Sequence, residues 1–214
     1  MTAADYSFVY SAASESDYPK RWEFVYFYSR LETRFAMQKS ELRLLYKQRR
    51  AALTADAIDA NSLAIANRLL DLPIWQHTYF HVFLPIVKQH EVNTEYILHV
   101  LAGKDKEVVV SKSDFASREM THFLLTDSTK ITTNTYGIPE PVSGLTVPVS
   151  TIEVVFVPLL AYDKSGHRVG YGKGFYDTFL QQCNPNTLKI GLSFFEPGTK
   201  SRISQLQMLP WIIW

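Results

Sequence analysis

Apolar and polar positions alternate in blocks along this chain, and the blocks predict alternating helices and strands. Gln38 to Leu53 reads as a helix. A second helix starts with Thr54 as N-cap and Asp56 in its first turn, presents Ile58, Ile65 and Leu69 on its apolar face, and ends before Pro73. Val154, Val155, Phe156 and Val157 form an unbroken apolar run, as expected of a strand buried on both faces of a parallel sheet. Tyr79 to Leu84, Glu107 to Ser111, Thr121 to Leu125 and Leu188 to Ser193 are the other strand candidates. Asn93 or Thr94 caps a helix that stops at Gly103, and Phe175 to Gln182 reads as a further helix. Lys130 to Thr151, rich in Thr, Pro and Gly, reads as a long irregular connection. This order predicts an α/β domain, a three-layer α/β/α sandwich around a mainly parallel sheet.

Composition narrows the partners. The 214 residues, 46% hydrophobic and 20% charged, suffice for one substantial core. A net charge of +1 offers no general attraction for nucleic acid, so binding must be local. No segment is long enough to span a membrane. The single Cys183 excludes an internal disulfide, and no charged stretch followed by an apolar one opens the chain, so a reducing cytoplasm is expected. His77 and His81 share a face, but one cysteine and no nearby third ligand do not make a zinc site. No Ser-His-Asp pattern points to nucleophilic catalysis.

The chemistry concentrates after the buried apolar run. Gly166, Gly170, Gly172 and Gly174 can take positive φ and let backbone N–H groups approach a ligand closely. Arg168 and Lys173 add cationic donors, and a helix beginning at Phe175 directs its dipole toward an anion. Asp177, in that first turn, would repel bound phosphates unless a hard cation such as Mg²⁺ lay between them. The spacing matches neither GxxxxGK[ST] nor GxGxxG, and a tight surface connection would also use such glycines. In the first helix Lys39, Arg43, Lys47 and Arg50 fall on one stripe, which on its own reads as a solvated face.

Pro158-Leu159-Leu160-Ala161-Tyr162-Asp163, then Gly166, Arg168 and Gly170-Tyr171-Gly172-Lys173-Gly174-Phe175-Tyr176-Asp177 resemble the signature of the 5-formyltetrahydrofolate cyclo-ligases, or 5,10-methenyltetrahydrofolate synthetases. The resemblance extends from Met37 to Glu196, through FLPIVKQHEVNT at Phe83 to Thr94 and YGIPEP at Tyr136 to Pro141. It implies a fold of the NagB/RpiA/CoA-transferase-like type and a monomer that cyclises 5-formyltetrahydrofolate with ATP and Mg²⁺. By that resemblance Lys39, Arg43, Arg168, Gly170, Tyr171, Gly172, Lys173, Gly174, Phe175 and Tyr176 hold ATP. Leu84, Glu91, Tyr136 and the stretch Tyr171, Gly172, Lys173, Gly174, Phe175 hold the folate, and Asp177 holds Mg²⁺. Lys47 and Arg50 keep the solvated-face reading. No catalytic residue is implied beyond positioning and charge from Arg168 and Lys173.

The two ends depart from that pattern. Members of the family continue after the equivalent of Pro197 with a segment like D-x-P-x-D-x-x-x-T, whose first Asp helps bind Mg²⁺. Here GTKSRISQLQMLPWIIW contains no carboxylate. A chain without that second metal ligand could instead be a nucleotide- and folate-binding protein with impaired catalysis. Met37-Gln38-Lys39 resembles a usual family start, so residues 1–36 are expected to be a non-family extension, 37–197 the cyclo-ligase-like domain and 198–214 an aberrant tail. Codons read two nucleotides later across Gly198 to Trp214 permit YKIEDISTTDVAMDYL, with Asp or Asn arising from Gln207-Met208 and Asp from Trp211-Ile212. The tail is therefore expected to be a frameshift product. Resequencing the gene across these codons tests this; a shifted frame without that segment refutes it.

Overall fold

The structure, a computed structural model, describes residues 38–163 and 167–197 and the backbone of Trp211–Ile213. The expectations placed on residues 1–36, on Gly166 and on 198–210 lie outside the described residues. In chain order the elements begin with helices α1, Lys39–Ala51, and α2, Ala55–Leu69, followed by strand β1, Tyr79–His81. Then come α3, Glu95–Gly103; β2, Glu107–Ser113; β3, Met120–Leu124; β4, Ile131–Thr133; and β5, Pro139–Pro141. The last group is β6, Val154–Pro158; β7, Ala161–Tyr162; β8, Arg168–Val169; α4, Phe175–Gln182; β9, Leu188–Leu192; and β10, Trp211–Ile213.

The main sheet runs in the order β10-β9-β6-β1-β2-β3, and every pairing is parallel except that of β2 with β3. A two-residue period divides its side chains between the faces. Phe80, Val108, Val110, Val154, Phe156 and Ile190 pack with Ile65 and Leu69 of α2 and Ile97 and Leu101 of α3. Val109, Val155 and Val157 face the other way, against Phe179 and Leu180 of α4 and Cys183 just after it. The sheet therefore lies between two helical layers, as the mixed pattern of the sequence requires. Phe80, Val154, Phe156 and Ile190 have no exposed surface, and each such side chain contributes about 1.5–3 kcal/mol on burial. No helix among the described residues is long and apolar enough to cross a membrane.

Local chemistry sets the helix starts. The Thr54 hydroxyl accepts from the Ala57 N–H at 3.2 Å, the expected cap of α2. At α3 the work is divided: Asn93 Oδ1 accepts from the Glu95 N–H at 3.1 Å, while the Thr94 hydroxyl donates to the Phe83 carbonyl at 2.9 Å. That second bond ties the segment after β1 to the helix start.

Three expectations change. The strand predicted over Tyr79 to Leu84 ends at His81, although the Val82 N–H still donates to the Val109 carbonyl at 2.9 Å. The connection predicted as irregular over Lys130 to Thr151 contains the antiparallel ribbon β4–β5 and a single 3₁₀ turn at Val149–Thr151. Buried Glu140 fastens this ribbon to the sheet by accepting from the Ser113 N–H at 2.8 Å and Asn134 Nδ2 at 2.9 Å. The glycine-rich connection after β6 also begins with a hairpin, β7–β8. Short pairs of this kind carry too few residues for a periodic signal.

Between β1, β2 and β3 lies a buried polar chain: His81 Nε2 to Ser111 Oγ at 2.7 Å, and Ser111 Oγ to His122 Nδ1 at 2.8 Å. The remaining ring nitrogens, His81 Nδ1 and His122 Nε2, have no partner among the described residues. Burial, and for His81 also the neighbouring His122, disfavours the imidazolium: His81 lies well below its ordinary value and His122 is pushed down to about 4. The unfolded chain therefore binds a proton that the folded chain refuses. Stability from His122 is fully present above about pH 6.5, declines as the pH falls toward 4 and is gone below that, a difference on the order of 3 kcal/mol. Urea denaturation between pH 7.5 and 4 should show the loss, and a His122→Gln variant should show a shallower slope; parallel curves for the two proteins would contradict it.

Candidate active site

Neighbouring strands β1 and β6 send the chain to opposite sides. From β1 it passes through α3 to β2, and from β6 through α4 to β9, with α3 and α4 on opposite faces of the sheet. Connections that diverge in this way leave a crevice at the carboxyl ends of the two strands, the usual ligand position in open parallel sheets. Leu84 and Glu91 lie after β1. The glycine loop lies after β6.

In that loop Gly172 and Gly174 have φ of 88° and 84°, which only glycine adopts readily. Gly170, though equally able to, does not adopt this conformation. Gly174 caps α4, whose first-turn N–H groups have no intrahelical acceptor and favour negative charge. Helix α1 packs against the β7–β8 hairpin through Tyr46, Leu160, Ala161 and Val169. Arg43 Nε donates to the Gly170 carbonyl at 3.0 Å, and a Cβ on Gly172 would stand 2.9 Å from Arg43 Cζ. Arg43 thus braces the loop. Lys39 lies one turn earlier on the same stripe, half-buried, and Lys173 is exposed in the loop.

Arg50 overturns its expected role on a solvated face: it is 2% exposed. Nη1 donates to the Tyr171 hydroxyl at 2.5 Å and Nη2 to the Leu159 carbonyl at 2.7 Å. Lys47 does stay exposed, with its ammonium 5.6 Å from the centre of the Tyr171 ring. Glu91 is buried, accepts from the Ile86 N–H at 2.7 Å and pairs with the Tyr171 hydroxyl. Burial raises its carboxyl above the ordinary range, while the Ile86 N–H, the Tyr171 hydroxyl and the Arg50 charge oppose the rise. Burial and the Glu91 charge likewise push the Tyr171 and Tyr176 phenols up, so both stay protonated donors.

An aromatic wall forms beside the loop. Tyr136, at the exposed tip of the β4–β5 ribbon, stacks on Phe115 with ring centres 4.1 Å apart, and Phe115 meets Phe175 edge-on at 5.0 Å. Tyr136 and Phe175, both assigned to the folate, are thereby brought together through a residue the sequence did not single out. Leu84 packs half-buried against the core on the α2–α3 face. Asp177, exposed in the first turn of α4, accepts from Arg168 Nη2 at 2.6 Å. Among the described residues no three acidic, His or Cys side chains form a metal-binding group. A lone exposed carboxylate fits a Mg²⁺ ion that takes its other ligands from phosphate and water rather than from a protein cage.

Phe115 and Arg50 are the members of the site that sequence reasoning missed. Nothing near Phe115 marks it, since its partners come from two distant segments. Arg50 had a signal, its place on the stripe of Arg43, but the side of the helix that would be buried was not readable.

Fold and crevice together define an α/β protein with a glycine loop that leads into a helix N-terminus and an adjoining apolar and aromatic wall. A sequence model of the 5-formyltetrahydrofolate cyclo-ligase family matches residues 36–209, running past Pro197. The chain belongs to that family. It is 31% identical over 153 residues to the 5-formyltetrahydrofolate cyclo-ligase of Mus musculus, covering 68% of this chain and 74% of that one. The Haemophilus influenzae enzyme of the same name is 27% identical over 161 residues, 73% of this chain and 86% of that one. Among solved structures, the 5,10-methenyltetrahydrofolate synthetase of Aquifex aeolicus superposes with a TM-score of 0.63 at 28% identity, over 73% of this chain and 78% of that one. That of Mycoplasma pneumoniae, at 0.58 and 23% identity over 72% and 84%, shares the fold.

A methyl group on Gly172 must both occupy left-handed backbone and displace Arg43. Gly172→Ala should cost about 1–2 kcal/mol in urea denaturation, and less in an Arg43→Ala background. Equal costs in both backgrounds would show that Arg43 does not brace the loop.

Proposed function

We propose that the chain catalyses ATP-dependent cyclisation of 5-formyltetrahydrofolate to 5,10-methenyltetrahydrofolate, releasing ADP and phosphate. The observation that carries this reading is the position of the Tyr171 hydroxyl: in the loop suited to a polyphosphate, it accepts from Arg50 at 2.5 Å and lies close enough to interact with buried Glu91, the carboxylate suited to a pterin. Two substrates that must react with each other require such a shared wall.

A formyl oxygen is a poor leaving group. Its attack on the γ-phosphorus forms an O–P bond, breaks the bond to the bridging oxygen and expels ADP. N10 then attacks the activated carbon, the C–O bond breaks, phosphate departs with its electron pair and the N10 proton is lost. The protein's share is position and charge, as in phosphoryl transfer generally. Lys39, Arg43, Arg168, Lys173 and the amides from Gly170 to Tyr176 hold the triphosphate. Leu84, Glu91, Tyr136 and the stretch from Tyr171 to Phe175 hold the folate, with Glu91 accepting from pterin N–H groups and the aromatic rings covering a flat heterocycle. Asp177 would hold Mg²⁺, which when bound neutralises phosphate charge. Arg168, already paired with Asp177, keeps that carboxylate at the mouth of the loop. A cytoplasmic monomer without nucleic-acid or membrane partners belongs to the same proposal and rests on the family likeness and the net charge of +1.

The absorbance of the methenyl product, followed with and without ATP, tests the reading. Wild-type protein should give an ATP-dependent rise, and Lys173→Ala or Arg168→Ala should lower kcat/KM by roughly 10²–10³-fold. Folded protein that binds nucleotide or folate yet forms no product would overturn the catalytic reading in favour of an impaired binder.

A further inference from the structure

We propose that Arg50 is a positioning residue of the crevice, holding the Tyr171 hydroxyl toward Glu91 and supplying the counter-charge that the buried Glu91 carboxylate needs. The inference rests on the reading that Glu91 receives the folate.

The directions of the hydrogen bonds follow from the donors. A guanidinium has no acceptor and stays protonated in proteins. At 2.5 Å from Arg50 Nη1, the Tyr171 oxygen must therefore accept, which leaves its own proton for Glu91. Nη2 is spent on the Leu159 carbonyl, just beyond β6, so the guanidinium is tied to the backbone as well as to the loop. Arg50 Nε has no partner among the described residues. A charge buried with incomplete pairing is costly, and it has no ion pair within 4.0 Å among the described residues. The carboxylate whose charge it offsets is Glu91, through the hydroxyl between them.

Arg50 and Arg43 lie on one face of α1 and grip adjacent parts of the loop, Arg43 at Gly170 and Arg50 at Tyr171. The same helix thus aims the phosphate side and the folate side. The groups facing Glu91 are Arg50 from α1, Tyr171 from the loop, Tyr176 from α4 and the Ile86 N–H from its own segment. Neighbouring His90 turns its Nδ1 to the Arg50 carbonyl at 3.1 Å. Of these groups only Arg50 is a cation, so neutralising it removes the charge that opposes protonation of Glu91. Loss of Arg50 therefore raises the pH at which Glu91 ionises.

Two readouts test this. The first is ¹³C NMR titration of the glutamate carboxyls in wild type and Arg50→Gln, with Glu91→Gln identifying the resonance. The Glu91 midpoint should rise in Arg50→Gln and return in Arg50→Lys, which keeps the charge. The second is the pH dependence of kcat/KM for 5-formyltetrahydrofolate. Arg50→Gln should move its acid limb the same way and raise the KM for the folate about tenfold, with a smaller effect on the KM for ATP. Arg50→Lys should restore the limb without restoring the KM, because one ammonium does not replace the fork that serves Tyr171 and Leu159. If Arg50→Gln does not fold, Tyr171→Phe removes the bridging hydroxyl and should shift the midpoint in the same direction. A folded variant with an unmoved midpoint overturns the inference. Absence of turnover in wild type overturns the functional reading instead, and the NMR titration still decides the role of Arg50.

Discussion

The divergence of two neighbouring parallel strands is the constraint on which the site depends. Strands β1 and β6 share hydrogen bonds along their length, yet their chains leave in opposite directions because α3 covers one face of the sheet and α4 the other. Crossovers that diverge in this way leave open the space directly above the strand ends. Into that space come a segment held by the bonds of Glu91 to Ile86 and Thr94 to Phe83, and a loop shaped by glycines. Neither would make a site alone. Helix α1 closes the arrangement from the side, and two of its arginines, Arg43 and Arg50, convert packing into position by binding loop atoms.

Charge is handled differently in two of the buried polar groups among the described residues. His81, Ser111 and His122 form a neutral chain, and burial keeps it neutral by making protonation unfavourable. Arg50, Tyr171 and Glu91 are instead built around opposite charges with a phenol between them. A phenol can accept from a guanidinium and donate to a carboxylate at once, so it joins two groups that desolvation would otherwise penalise separately. The second arrangement lies at the crevice and the first between strands.

Much of the fold was legible because its signals are local or periodic. The β6 run, the α4 helix and the Thr54 cap all appear at or near their predicted positions, since a continuous apolar run, a glycine before a helix and a capping hydroxyl need no distant partner to be recognised. Short pairings were less visible. β7–β8 and β4–β5 are two and three residues long, too brief for alternation, and Glu140 holds the latter ribbon only through contacts made by folding. Phe115 joins Tyr136 to Phe175 across segments far apart in the chain, and no spacing along the sequence encodes such a meeting.

The sequence by itself determined the period of each element, the glycines able to occupy left-handed backbone and the family to which their order belongs. Those properties reside in neighbouring residues and survive without a tertiary context. Tertiary structure decided which face of α1 would be buried, and with it whether Arg50 was a solvated cation or the partner of Tyr171 and Glu91. A stripe of basic residues has the same periodicity in either case. Only the placement of the helix against the loop separates them, because burial is a property of what packs against a side chain and not of the side chain's position in the chain.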